Sequence, residues 1–153
     1  MIENYLSKNT IRLNLEASNW EEAVREGGQL LVDALKCQPR YVDAMVQTVR
    51  QLGPYIVLAP GLALAHARPE DGVLDIGLSL ITLARPVSFG SKTKDPVSII
   101  ISFCAVDQNG HVELLRELAE FLRPLKNQRL LNNAVTPDQV MALFSRKNEW
   151  NGL

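Results

Sequence analysis

Apolar and polar positions along the chain change period several times, and each change marks an element. Ile11, Leu13 and Leu15 alternate with polar residues and predict a short strand with those three side chains on one face. From about Asn19 to Lys36 the period becomes helical, with Ala23, Leu30, Leu31 and Ala34 inward and Glu22, Arg25 and Glu26 outward. Ser18-Asn19-Trp20-Glu21 reads as a capping box at its start. Pro39 closes the turn that follows. Tyr41 to Leu52 predicts a second helix with a stripe of Tyr41, Met45, Val46 and Val49, stopped by Gly53-Pro54.

Extended segments follow. Tyr55 to Ala59 reads as a strand, and Leu62 to Ala65 as a short second one after the Pro60-Gly61 interruption. Asp75 to Leu83 is rich in Ile and Leu and predicts a central strand. Pro86 to Pro96 is a polar loop. Val97 to Val106 is almost continuously apolar, which predicts a strand covered on both faces. A turn from Asp107 to Gly110 leads into a helix from about His111 to Leu122, with Val112, Leu115, Leu118, Ala119 and Leu122 as its apolar stripe. Glu113, Arg116, Glu117 and Glu120 lie opposite. A short helical piece is expected around Gln128 to Leu131. Thr136-Pro137-Asp138-Gln139 is a second capping box, opening a last helix to about Phe144. The order of elements predicts a single-domain α/β fold, a mixed sheet with helices on both faces.

Composition narrows the function. At 153 residues the chain suits one domain with a proper core. Its net charge of -1 offers no field for nucleic acid or an anionic membrane surface. No apolar run reaches the roughly 18 residues of a membrane span. Two cysteines, with Cys104 in an apolar run and Cys37 near a helix end, together with no signal peptide, point to a reducing cytoplasm. There is no dinucleotide fingerprint, no glycine-lysine phosphate loop, no metal-spaced cluster and no nucleophile elbow, so no cofactor is expected.

The chemistry then rests on two histidines. His66 ends the small-residue run Gly61-Leu62-Ala63-Leu64-Ala65, which lets backbone and solvent approach it closely. Arg68 is two residues on, and shares its face if the chain stays extended. An imidazole beside a guanidinium is held neutral, and the guanidinium would meet a bound phosphoryl group. His111 opens its helix where free amides and the positive dipole end favour an anion. Phosphate is the leading candidate. Against this stand the plain readings of a core or rim histidine at 66 and a solvated first-turn residue at 111. Spacing alone leaves open whether the two rings meet.

These residues carry a family resemblance. Ala59-Pro60-Gly61-Leu62-Ala63-Leu64-Ala65-His66-Ala67-Arg68-Pro69-Glu70 resembles the phosphohistidine motif of enzyme IIA proteins of the sugar phosphotransferase system (PTS). It is similar to the mannitol/fructose superfamily, and most of all to its ascorbate-type branch. The Tyr41-Val42-Asp43-Ala44-Met45 helix start, Arg50 sixteen residues before His66, and the Gly110-His111 helix start extend the likeness over nearly the whole chain. The resemblance implies a mannitol/fructose-type enzyme IIA fold over residues 1–153 and a phosphotransferase role in the cytoplasm. A phosphoryl group would pass from the histidine of the phosphocarrier HPr to this protein. It would then move to a cysteine of enzyme IIB and finally, with the membrane enzyme IIC, to an incoming carbohydrate. His66 would be phosphorylated, His111 would hydrogen-bond the phosphoryl oxygens, and Arg50 and Arg68 would supply positive charge. Neither cysteine has a IIB-like setting, so the chain would be the IIA component alone.

One position departs from the family pattern: Ala65 stands where a proline usually precedes the histidine. Alanine keeps an amide donor that proline lacks. Two other readings stay open. One is a divergent IIA-like domain that signals to a protein partner by its phosphorylation state. The other is an unrelated small-molecule-binding α/β domain with structural histidines. The carbohydrate is not legible; ascorbate is a subgroup inference, and a pentitol is an alternative. Trp20, Trp150 and Phe144 read equally as core or as a homodimer interface.

Overall fold

The computed structural model of the protein describes residues 2–107 and 112–145. Among the described residues five strands form one mixed sheet in the order β1-β4-β5-β3-β2: β1 Ile11–Leu15, β2 Val57–Ala59, β3 Leu62–Ala65, β4 Gly77–Val87 and β5 Val97–Cys104. Helices α1 (Trp20–Asp33) and α2 (Pro39–Leu52) cover one face. Helices α3 (Val112–Leu122), α4 (Leu125–Asn133) and α5 (Pro137–Ser145) cover the other. β1 runs parallel to β4, and β3 runs parallel to β5, while the β4–β5 and β2–β3 pairs are antiparallel. The mixed sheet flanked on both faces is the expected one.

Strand periodicity divides the core. Leu62 and Leu64 of β3, with Ile99, Ile101 and Phe103 of β5, pack toward α3, α4 and α5. Ala63 and Ala65, with Ile100 and Cys104, pack toward α1 and α2. Small residues bring α1 close to its neighbours: a methyl group on Gly28 would lie 2.8 Å from a Val42 methyl. Both cysteines are free and buried. The Cys104 thiol donates to the Asp75 carbonyl at 3.3 Å.

Several local expectations shift. Ile11, Leu13 and Leu15 do not share one face. Asn14 adopts φ 57°, the strand pairing slips between Arg12 and Leu15, and Leu15 packs in the α1–α2 core while Ile11 and Leu13 face the other. The cap of α1 is Asn19, not Ser18. Its side chain accepts from the Glu22 amide (2.9 Å), and the Glu22 carboxylate reaches back to the Ser18 amide (3.2 Å). That helix ends at Asp33, because Leu35 turns left-handed (φ 62°) and the Lys36 amide returns to the Leu31 carbonyl at 2.9 Å. Pro39 starts α2 as its first residue, a place where its missing N–H costs nothing. Tyr55 lies in a single 3-10 turn, Pro54–Ile56, ahead of a shorter β2. The stripe of α3 is rotated: Leu114, Leu118, Phe121 and Leu122 are buried, whereas Val112 is exposed. The Thr136/Gln139 box forms as expected, with the Gln139 amide donating to the Thr136 hydroxyl at 3.3 Å and the Thr136 amide to the Gln139 carbonyl oxygen at 3.3 Å. Trp20 packs on Phe89 and Phe144 is buried against Phe121, so both belong to the core; Trp150 lies outside the described residues.

Candidate active site

The C-terminal ends of the parallel strands β3 and β5 lie side by side, with Ala65 in register with Ser102. His66 is the first residue beyond β3. It continues the Leu62–Leu64 alternation, and its ring stacks on Phe103 of β5 with centroids 5.2 Å apart and planes 26° apart. The ring is half-buried. Its Nδ1 lies 3.2 Å from the carbonyl oxygen of Leu64. A carbonyl only accepts, so Nδ1 carries a proton, and in the neutral form of the ring the lone pair is then on Nε2. The hydroxyl of Tyr55 lies 3.2 Å from Nε2 and donates to it. Burial pushes the Tyr55 phenol above its ordinary value, which keeps it a protonated donor. The two rings also meet edge to face, at 5.9 Å and 74°.

A second tyrosine fixes the backbone around this ring. The hydroxyl of Tyr41, wholly buried on α2, accepts from the Ala67 amide (2.9 Å) and donates to the Phe103 carbonyl (2.8 Å). It thereby ties the residue after His66 to the residue beneath the imidazole. Burial raises its pKa, so the phenol stays neutral in that role.

An open cavity of about 510 Å³ adjoins His66, lined by Gln47, Thr48, Gln51, Tyr55 and Arg68 among others. The Arg68 side chain is exposed at its rim and lies 3.5 Å from the Glu70 carboxylate and 3.6 Å from that of Asp71. The Asp71 carboxylate also accepts from the Arg68 amide at 3.1 Å, which shapes the turn carrying the guanidinium. On the other side of β3 an apolar groove of about 360 Å³ runs along Leu58, Leu62, Leu64, Leu115, Leu118 and Leu122. The site thus offers an imidazole nitrogen, an adjoining hydroxyl, an exposed cation and room for a small charged group, beside an apolar surface.

Residues 4–147 match the family described as phosphoenolpyruvate-dependent sugar phosphotransferase system, EIIA 2. The chain belongs to this family. Such IIA components are phosphotransferases of the PTS. The ascorbate-specific PTS system EIIA component of Salmonella typhimurium is 42% identical over 147 residues, covering 95% of this chain and 96% of that protein. The solution structure of the mannitol-specific cryptic enzyme IIA of Escherichia coli superposes with a TM-score of 0.85 at 31% identity, covering 95% of this chain and 99% of that one. The mannitol enzyme IIA of Escherichia coli, solved in complex with phosphorylated mannitol enzyme IIB, gives 0.80 at 27% identity, covering 92% of this chain and 96% of that one.

Within this IIA domain the sequence-predicted residues are only partly brought together. His66 and Arg68 line one cavity. Arg50 does not line it: its guanidinium pairs with Glu21 of α1, in a cluster with Arg25 and Asp43. Helical rotation turns it toward α1 while Gln47, Thr48 and Gln51 face the histidine. His111 lies outside the described residues. Two residues of the site, Tyr41 and Tyr55, were read from sequence only as a helix stripe and a strand start. The available signal was chemical: a tyrosine in an otherwise aliphatic stripe needs a partner for its hydroxyl.

Proposed function

We propose that the chain is the IIA phosphocarrier of an ascorbate-type PTS, loaded on His66 Nε2 by the phosphohistidine of HPr and discharged onto the cysteine of an enzyme IIB. The observation that carries this reading is the Nδ1–H donated to the Leu64 carbonyl, which leaves Nε2 as the nucleophile at the cavity edge. In the loading step Nε2 attacks phosphorus as the nitrogen–phosphorus bond of the donor breaks, and the donor leaves as a neutral imidazole. His66, now substituted at both nitrogens, carries a positive ring charge, and the Leu64 carbonyl accepts from its Nδ1–H. In the discharge step a thiolate attacks the same phosphorus, and His66 returns to the neutral ring. The transition state is loose, with charge on three oxygens, so fixed donors and positioning supply the catalysis. Arg68 is the cation that swings to those oxygens from its exposed ion pairs, which surface screening makes weak. His111 is the second donor to the phosphoryl group. Arg50 supplies positive charge at longer range. HPr and IIB dock in turn over the apolar groove beside His66, since both must present their reacting atoms to the same nitrogen. Ascorbate, passed on through the membrane enzyme IIC, is the carbohydrate that the named relatives suggest.

Labelled phosphoenolpyruvate, enzyme I and HPr should transfer label to the wild-type chain, in acid-labile form. His66→Ala should abolish labelling. His111→Ala should still be labelled but pass the label more slowly to a purified ascorbate-type IIB. Labelling of the His66 variant at full strength would overturn the assignment.

A further inference from the structure

Resting on the phosphocarrier reading above, we propose that Tyr55 is a catalytic residue whose hydroxyl holds the Nε2 lone pair of His66 at rest and donates to a phosphoryl oxygen during transfer. The contact is made across elements: Tyr55 lies on the turn Pro54–Ile56 and its hydroxyl reaches Nε2 at 3.2 Å, eleven residues away in sequence. Its backbone is pinned on both sides. The Gly53 amide returns to the Val49 carbonyl at 2.8 Å, and Ile56 is buried before Val57 enters the sheet. The residue is 46% exposed and its side chain borders the 510 Å³ cavity, so it turns about its own torsions without disturbing the core.

The distance is also that of a weak, releasable bond, longer than is usual for a hydroxyl donor. Attack by Nε2 requires its lone pair, so the hydroxyl must leave that position as the nitrogen–phosphorus bond forms. The phosphoryl oxygens then surround the point the hydroxyl vacated, and one torsional step lets the same O–H donate to one of them. No proton changes owner: the donor's nitrogen–phosphorus bond breaks, the Nε2–phosphorus bond forms, and the phenol keeps its hydrogen throughout. A phenol is neutral at physiological pH, and its partial desolvation moves it further from ionising, which suits that part. Donation to an equatorial oxygen, placed where the phosphoryl group passes between the two nitrogens, favours transfer over rest.

The test is Tyr55→Phe, which keeps the ring against His66 and removes only the hydroxyl. Loading from phospho-HPr should fall about tenfold or more in kcat, as expected for one charge-assisted donor, with KM for phospho-HPr little changed. The 15N signal of His66 Nε2 should move toward that of a nitrogen without a hydrogen-bond donor, while Nδ1 stays protonated. Wild-type kcat together with an unmoved Nε2 signal would overturn the proposal. Phosphoramidate, a small phosphoryl donor that needs no docking, separates the two claims. If phospho-HPr labels nothing but phosphoramidate labels His66 more slowly in Tyr55→Phe than in wild type, the role of Tyr55 stands and the relay falls. Equal phosphoramidate rates in the two proteins would remove the role of Tyr55 and leave the relay untouched.

Discussion

At the scale of single residues, the site depends on polar groups that hold an imidazole rather than on a dense set of charges. Leu64 selects the tautomer through its carbonyl, Phe103 supports the ring from below, and Tyr41 locks both neighbours of that stack. Tyr41→Phe isolates this last contribution. Removing the hydroxyl leaves the Ala67 amide and the Phe103 carbonyl without that partner, for a loss of about 1–3 kcal/mol of stability. Denaturant unfolding should show the loss, and labelling by phospho-HPr should slow at temperatures where the variant is fully folded. Unchanged midpoint and rate together would show that Tyr41 merely fills space. The contrast with His66 shows what a sequence makes legible. The run Gly61-Leu62-Ala63-Leu64-Ala65 before His66, with Arg68 two residues on, marks an approachable imidazole near a cation, and both side chains line one cavity. The reach of Tyr41 to residues 26 and 62 positions away is a tertiary fact that helical periodicity does not contain. The same holds for Arg50, whose sequence position is compatible with the site but whose helix face turns it to Glu21.

At the scale of elements, the strands and helices were largely legible from their periods, and the errors fall where one residue breaks a period. Asn14 sends Leu15 to the opposite face, and Leu35 ends α1 without a glycine to announce it. In α3, Leu115 and Ala119 line the open groove while Leu114 and Phe121 enter the core. Two adjacent apolar faces look alike in a sequence, because period fixes spacing and not which side meets the sheet. The loop between β4 and β5 carries a pH prediction. Its Asp95 is pushed up by burial, but donors overcome this and hold it below the ordinary carboxylate range: the amides of Phe89 (3.0 Å) and Gly90 (2.8 Å), the Ser88 hydroxyl (2.8 Å) and the Ser91 amide. The next carbonyl back, of Lys94, accepts from the Gly61 amide at 2.9 Å, which links this loop to the start of β3. A carboxyl with a lowered folded pKa stabilises the fold fully above its unfolded value of about 3.9. That stabilisation is lost as pH falls through the folded value. Asp95→Asn should therefore be less stable than wild type at neutral pH, with the gap closing below about pH 3.9. Denaturation midpoints for both proteins across an acid series measure it, and a gap that stays constant down to pH 3 would count against the hydrogen-bond account.

For the molecule as a whole, topology explains why His66 sits where it does. β3 and β5 are parallel neighbours, so their carboxyl ends open together, and side chains leaving them are directed into solvent beside a rigid sheet. Helices on both faces were foreseeable, because β5 is almost continuously apolar and carries core residues on each face, Ile100 and Cys104 on one and Ile99, Ile101 and Phe103 on the other. The strand order was not, since pairing between distant segments depends on contacts that no local pattern records. The result is a histidine flanked by two unlike surfaces: a cavity lined by polar side chains, and an apolar groove. If the groove is the shared docking surface for HPr and IIB, one change in it must weaken both encounters while leaving chemistry alone. Leu58 is the residue to alter, because it lines the groove at 53% exposure and carries little of the core. Leu58→Asp puts a charge into an apolar contact without opening a cavity, so unfolding should be nearly unchanged. Steady-state transfer should show KM for phospho-HPr and for IIB each raised about tenfold, with kcat kept, as for loss of one anchoring contact. Labelling by phosphoramidate, which needs no partner, should match wild type. An effect on one partner alone would show that donor and acceptor use separate surfaces around the same imidazole, and would require the second surface to lie on the Arg68 side of His66.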